Sequence, residues 1–339
     1  METKNFLFLL AILLASFVGC QSVERRQNAQ NPTAPVVVRP GVVGSEPVTL
    51  PPQAEGQPAA ALNPATPAGT TPIPNSGQTS SHVPPVGVFL SAGAMRSFAH
   101  IGVLRALQKA HVPIVAIGGA EWGSVIAAAY AFSKTQFEAE WELMKLKQSQ
   151  IPTTNLIRRQ ISELNPSEMA PFLKAAFADK DLERTNIAFR CPYTDGEQTQ
   201  FISKGLAREQ LPKCIVLPPT YSALDASGKA LMSGAVDPGD WAGELRRAGA
   251  QFIIYVDVIS RGQALHNSVK YSDISSMKAL WHAVRTLSRA QHGFANLTIE
   301  VPMDYDLTDF DRRREAITIG EDAAKQTLNS TLKAIGMQN

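Results

Sequence analysis

The 339 residues are 44% hydrophobic and 18% charged, a globular composition with enough apolar residues for a sizeable core. A formal net charge of +2 sets up no field for nucleic acid, and no basic run interleaves with aromatics as a nucleic-acid groove requires. Three cysteines are too few and too scattered for a disulfide scaffold or a zinc site, so no metal and no cofactor is expected.

At the N-terminus, Lys4 precedes the apolar run Phe6 to Phe17, followed by Val18-Gly19-Cys20. The run is shorter than the roughly 20 residues a spanning helix needs. It fits a signal peptide, residues 1–19, with a small residue before the cut. A cut ahead of cysteine resembles a bacterial lipobox, with Phe17 where leucine is usual. On that reading Cys20 is lipidated and ties the mature chain to a membrane; the alternative is an ordinary signal peptide with an incidental cysteine. Ser22, rather than aspartate, stands second in the mature chain. By resemblance to lipoprotein sorting in two-membrane bacteria, this predicts an exported protein, lipid-anchored in the envelope at the outer membrane, facing periplasm or surface.

Residues 20–85 read as the lipidated cysteine plus a tether. Thirteen of the 23 prolines lie between Pro32 and Pro85, among Ala, Gly, Thr and Gln, and no apolar periodicity survives there. Such a segment buries too little surface to offset its ordering entropy. As a coil of about 60 residues it spans about 45 Å.

Order is predicted from Val86, and residues 86–337 read as one α/β domain. Val86 to Leu90 is a short apolar run suited to a buried strand. The small-residue loop Ser91 to Ser97 leads into a helix from Phe98 to Ala110, with Ile101, Leu104 and Leu107 on one face. Ile114 to Ile117 is a second buried strand. It ends in the turn Gly118-Gly119-Ala120-Glu121-Trp122-Gly123, and a small-residue helix runs from Ser124 to Phe132. Strand, helix, strand, helix is a parallel βαβ opening. Asn165-Pro166-Ser167-Glu168 predicts a helix start. Strands are expected at Asn186 to Cys191, Gln200 to Ile202, Lys229 to Met232, Phe252 to Val258 and Leu297 to Val301. Helices are expected at Trp241 to Ala248, Ser272 to Gln291 and Glu315 to Ala334.

Several ordered segments resemble the patatin-like phospholipase family over nearly all of Val86 to Ile335. Leu90 to Ala110 is similar to that family's glycine-rich loop and following helix. Ile114 to Ala127 is similar to its strand, nucleophile elbow and helix. Ser233-Gly234-Ala235-Val236 falls where the family has an Asp-Gly-Gly or Asp-Gly-Ala motif. The tail from Asp309-Phe310 through Ile319 to Ala324 fits its last helix. The resemblance implies a three-layer α/β/α fold with a mainly parallel central sheet. It also implies lipid acyl hydrolysis by a Ser-Asp dyad, assisted by an oxyanion hole in the glycine-rich loop.

The chain departs from the pattern at the chemistry positions. Glu121 stands at the nucleophile position and Ser233 at the base position, so no catalytic dyad is intact. The oxyanion loop keeps a remnant, Gly93, Ala94, Met95 and Arg96, of which Gly93 and Arg96 match the family's fixed positions. Each added side chain restricts a backbone that must turn its amides inward. Restoring the dyad alone is therefore expected to return little activity. An ionised glutamate has no proton for Ser233 to take. Glu121 either fills the old oxyanion site, held by Arg96 or local amides, or is a tolerated polar residue on a turn. Trp122 either lines or plugs an acyl pocket, or is core. Ser124, Ser91, Ser97 and His100 read as packing or turn residues. Cys191 and Cys214 read as buried small residues for which a disulfide is open. Arg312 to Arg314 reads as a solvated face. The expected function is an inactive patatin-like protein that binds a lipid or fatty-acyl ligand, or scaffolds an envelope protein partner. The alternatives are an acyl hydrolase with a non-standard nucleophile and a purely structural envelope protein.

Overall fold

The computed structural model describes residues 83–337 other than 134, 151–153, 156–159, 162–168, 219–220, 222, 224, 226, 263–274, 305 and 308. The expected signal peptide, Cys20, the tether up to His82 and the helix start at Asn165 to Glu168 lie outside the described residues.

From the N-terminal side run β1 (Val86–Leu90), a 3-10 turn (Ala94–Phe98), α1 (Ala99–Lys109), β2 (Ile114–Gly119), α2 (Trp122–Phe132) and α3 (Gln136–Met144). A short antiparallel pair follows, β3 (Thr154–Asn155) with β4 (Gln160–Ile161), then α4 (Ala170–Phe177), β5 (Ala188–Thr194), β6 (Thr199–Ile202) and α5 (Ala207–Ile215). The chain continues through β7 (Met232–Ser233), α6 (Trp241–Arg247), β8 (Phe252–Asp257), α7 (Ser275–Gln291), β9 (Leu297–Glu300) and α8 (Arg313–Ala334).

The main sheet has the order β6-β5-β2-β1-β8-β9. Its centre, β5 to β9, is parallel throughout, and β6 is antiparallel to β5. Strand β5 outruns β2: Ala188 to Arg190 pair with β2, while Tyr193 and Thr194 pair with β7. This extension holds Ser233 of β7 against Tyr193, three residues beyond the last β5 residue paired with β2.

Alternation along the strands sorts side chains into two faces. Val88, Leu90, Ile117, Ile254 and Val256 join the core under α1, α2 and α8. Phe89, Ala116, Ile253 and Tyr255 join a second core with Trp241 and Leu245 of α6. The result is an α/β protein with a mainly parallel sheet between helical layers. On the first face α1 and α8 cross at two glycines. A Cβ on Gly102 would meet the Ile317 carbonyl at 1.9 Å, and one on Gly320 would meet the Ala99 carbonyl at 2.0 Å. Arg105 and Lys109 of α1 close this crossing on Glu321 of α8 at 2.9 and 2.8 Å. The three cations Lys109, Arg105 and Lys325 outweigh burial and lower the Glu321 pKa to about 2.

Two features differ from expectation, and one helix, α5, had none. The strand expected at Lys229 to Met232 is displaced to Met232–Ser233, because the Asp225 carboxylate accepts from the Ser227 and Lys229 amides and ties Lys229 into a turn. Helix α5 contains Pro212, a residue that breaks the helical pattern in sequence. Arg313 is not part of a fully solvated face: its guanidinium lies 3.9 Å from the Phe310 ring centre and donates to the Leu146 carbonyl. Cys191 of β5 and Cys214 of α5 form a disulfide, with both residues fully buried.

Gly102→Ala is expected to destabilise the domain by about 3 kcal/mol through overpacking at the helix crossing. A melting temperature unchanged from wild type would contradict that packing. Because 23 residues separate the two cysteines, reduction of the disulfide is expected to cost roughly 3 kcal/mol, read as a lower urea midpoint.

Candidate functional site

The site sits at the carboxyl ends of β1 and β2, where parallel α/β sheets place their ligand crevices. Strand β2 ends in Gly119, and α2 begins at Trp122, so the chain reverses in two residues. Close packing makes this turn sharp. A Cβ on Gly119 would lie 2.5 Å from the Gly123 backbone, and one on Gly123 would lie 2.5 Å from the Ser91 carbonyl. Both positions therefore need glycine for approach rather than for dihedral freedom. Glu121, the helix N-cap, is held at φ 51, ψ −129. A non-glycine residue there stores about 1–3 kcal/mol of strain.

Opposite the turn lies the loop after β1. A Cβ on Gly93 would meet Val258 at 2.5 Å, which explains the glycine. Ala94 takes the left-handed region, φ 46, despite its methyl group. This corrects the expectation that added side chains keep the amides from turning inward. Both amides point to Glu121: Oε2 accepts from Gly93 N at 3.1 Å and from Ala94 N at 2.9 Å. Of the two candidate holders, local amides make the described hydrogen bonds to the carboxylate. The neighbouring Met95 N–H donates to the Leu307 carbonyl, and the Arg96 N–H donates back to Gly93. The Arg96 side chain is fully buried.

Glu121 is 2% exposed. Burial raises its pKa to about 7, against the opposing pull of the Trp122, Gly93 and Ala94 amides, which favour the anion. The group thus stands near half-ionised at neutral pH, in a site lined by N–H donors at a helix N-terminus.

Ser233 is fully buried on β7, and its Oγ accepts from Ala235 N at 3.2 Å. Trp122 is 2% exposed and packs in the core against Phe172, with ring centres 6.4 Å apart. The cavity beside the turn is lined instead by Phe89, Ala92, Ala120, Gly234, Ala235 and Ser288, among others, and holds about 20 Å³. That is room for about one water molecule.

Ser124 donates to the Glu121 carbonyl at 2.5 Å, as a helix-turn residue. His100 does more than pack on its helix. Its Nε2 donates to the Ser91 carbonyl at 2.9 Å, tying α1 to the start of the loop, and complete burial lowers its pKa to about 4, leaving it neutral. Ser91 Oγ accepts from Val258 N at 3.1 Å, a second tie from the loop to β8.

Sequence reasoning missed a buried polar network below the cavity. Asp257 Oδ1 accepts from the Ile259 and Ser260 amides at 2.9 and 2.8 Å, and Oδ2 accepts from Ser288 at 2.8 Å and lies 2.7 Å from His292 Nε2. These contacts outweigh burial and lower the Asp257 pKa. The sequence signal was an aspartate ending an otherwise apolar strand. Among the described residues no group of three or more His, Cys, Asp or Glu is arranged to hold a metal ion, and no helix is long and apolar enough to cross a membrane.

Residues 88–239 match the family model of patatin-like phospholipases. The chain is 25% identical over 275 residues to lysophospholipase NTE1 of Coccidioides immitis, covering 72% of this chain and 18% of that protein. It is 27% identical to patatin-like phospholipase domain-containing protein ZK370.4 of Caenorhabditis elegans, covering 60% of this chain and 15% of that one. It is 28% identical to human patatin-like phospholipase domain-containing protein 6, over 52% and 14%. The chain thus spans less than a fifth of the length of these relatives. Among solved structures, VipD from Legionella pneumophila aligns with a TM-score of 0.44 at 11% identity, covering 73% of this chain and 67% of that one. Over residues 88–239, a little under half of its length, the chain is thus similar to patatin-like phospholipases.

Proposed function

We propose that this domain is a non-hydrolytic patatin-like protein whose Glu121 carboxylate closes the oxyanion site. One observation carries the reading: a side-chain oxygen sits at 2.9 and 3.1 Å from the two loop amides that acyl transfer would need for the developing oxyanion. A glutamate at the turn brings no hydroxyl to attack a carbonyl, and Ser233 is no base to activate one. The cavity beside the turn, about 20 Å³, is too small for an acyl chain, so a lipid or an envelope protein partner would bind elsewhere on the domain. Lipidation of Cys20 and residence in the outer membrane belong to the same proposal. The buried Cys191–Cys214 disulfide supports an oxidising compartment.

A second reading keeps an active lipid acyl hydrolase. The relatives named lysophospholipases favour it, and so does the Ser288 hydroxyl, which borders the cavity and donates to Asp257. Against it, Asp257 already accepts from three other groups and has a lowered pKa, which makes it a weak base.

Wild-type protein is expected to resist covalent labelling by a fluorophosphonate probe and to leave short p-nitrophenyl esters intact. Labelling that disappears in Ser288→Ala would establish the second reading instead. Glu121→Ser with Ser233→Asp is expected to gain labelling at position 121, because the loop amides already face the turn; no labelling would mean that they do not serve an oxyanion.

The raised pKa of Glu121 has a stability consequence. Between the ordinary carboxylate value and about 7, the folded state holds a proton that the unfolded chain releases. The associated stability is full below the unfolded value and is lost as pH rises through 7. Glu121→Gln, which keeps an oxygen for the amides, should match wild type near pH 4.5. Above pH 7 it should be more stable by on the order of 3 kcal/mol. Thermal melts at both ends of this range provide the check, and a variant weaker than wild type above pH 7 would contradict the burial argument.

A further inference from the structure

Helix α3 leaves two large aromatic side chains in solvent. Phe137 is 68% exposed and Trp141 is 70% exposed. Four residues apart, they share one helical face. They form one wall of a groove of about 470 Å³, completed by Met144 and Glu140 of α3, Arg105 and Lys109 of α1, and Arg314 of α8. Three cations and one carboxylate therefore line an aromatic groove. The carboxylates nearby are engaged: Glu140 with Arg105, Glu321 with Arg105, Lys109 and Lys325, and Glu142 with Lys145. Glu138 has a hydrogen bond or ion pair of its own.

A solvent-exposed tryptophan and phenylalanine on one helical face cost hydration free energy unless something covers them. Tryptophan prefers the boundary between water and lipid, where its ring meets acyl chains and its N–H meets headgroups. Lysine and arginine beside it add attraction to anionic headgroups, about fivefold in affinity for each cation. We propose that this groove is a docking surface for an anionic phospholipid membrane, with Phe137 and Trp141 entering the interface and Lys109 and Arg314 meeting headgroup phosphates. The inference is independent of what Glu121 does.

The chain contains four tryptophans, and Trp122, Trp241 and Trp281 are buried, so Trp141 reports on this surface alone. The test mixes the full chain with vesicles of phosphatidylcholine, with or without phosphatidylglycerol, carrying bromine-labelled acyl chains that quench tryptophans at the interface. Quenching is expected in the anionic vesicles and should be absent in Trp141→Phe. Lys109→Gln with Arg314→Gln should weaken partitioning into the anionic vesicles about 25-fold, roughly fivefold per cation. Unquenched emission in anionic vesicles would overturn the proposal. So would quenching that persists in Trp141→Phe, or equal quenching in neutral vesicles. Self-association lost in Phe137→Ser with Trp141→Ser, without vesicle quenching, would assign the surface to a second copy of the chain.

Discussion

The turn between β2 and α2 is the constraint around which the site is arranged. Gly119 and Gly123 let the first turn of α2 press onto the end of β2 and onto the last carbonyls of β1. That contact leaves two residues, Ala120 and Glu121, between strand and helix, and Glu121 takes φ 51, ψ −129. Whatever side chain occupies position 121 is thereby aimed across the sheet end at the loop after β1. The same geometry that presents a nucleophile in an acyl hydrolase here presents a carboxylate to two backbone N–H donors. The strain is local: of the four non-glycine residues with positive φ among the described residues, two, Ala94 and Glu121, face one another in this contact.

Supporting contacts hold the loop from three sides. His100 fixes the Ser91 carbonyl from α1, Ser91 Oγ fixes Val258 at the end of β8, and Leu307 accepts from the Met95 amide. None of these involves a group that acyl transfer would consume. The loop is therefore held without help from position 121, and its donors offset only part of the burial of Glu121, whose pKa stays raised. A charged carboxylate buried without them would cost several kcal/mol.

Much of the fold was legible because its strands are short apolar runs and its first helices carry clear apolar faces. Val86 to Leu90, Ile114 to Ile117 and Phe252 to Val258 fall in the centre of the sheet, where burial on both faces removes any alternation. Helix α5 was illegible because Pro212 interrupts its pattern, and α3 because its apolar face is partly unburied. At the site, Glu121 and Ser233 were singled out only because the resemblance to patatin-like phospholipases implies a serine and an aspartate at those positions. The inward loop amides were not legible, because sequence cannot show that Ala94 accepts a left-handed backbone when Glu121 waits to receive its N–H. The Asp257 network was hidden for a similar reason: its partners Ser288 and His292 lie more than 30 positions along the chain, and only the fold brings them together.

The contact between the Glu121 carboxylate and the loop amides can be read directly by nuclear magnetic resonance. Gly93 and Ala94 amide proton shifts followed against pH should titrate together with a midpoint near 7, and should become flat in Glu121→Gln. Shifts insensitive to pH, or a titration that persists in Glu121→Gln, would show that the carboxylate does not occupy the oxyanion site.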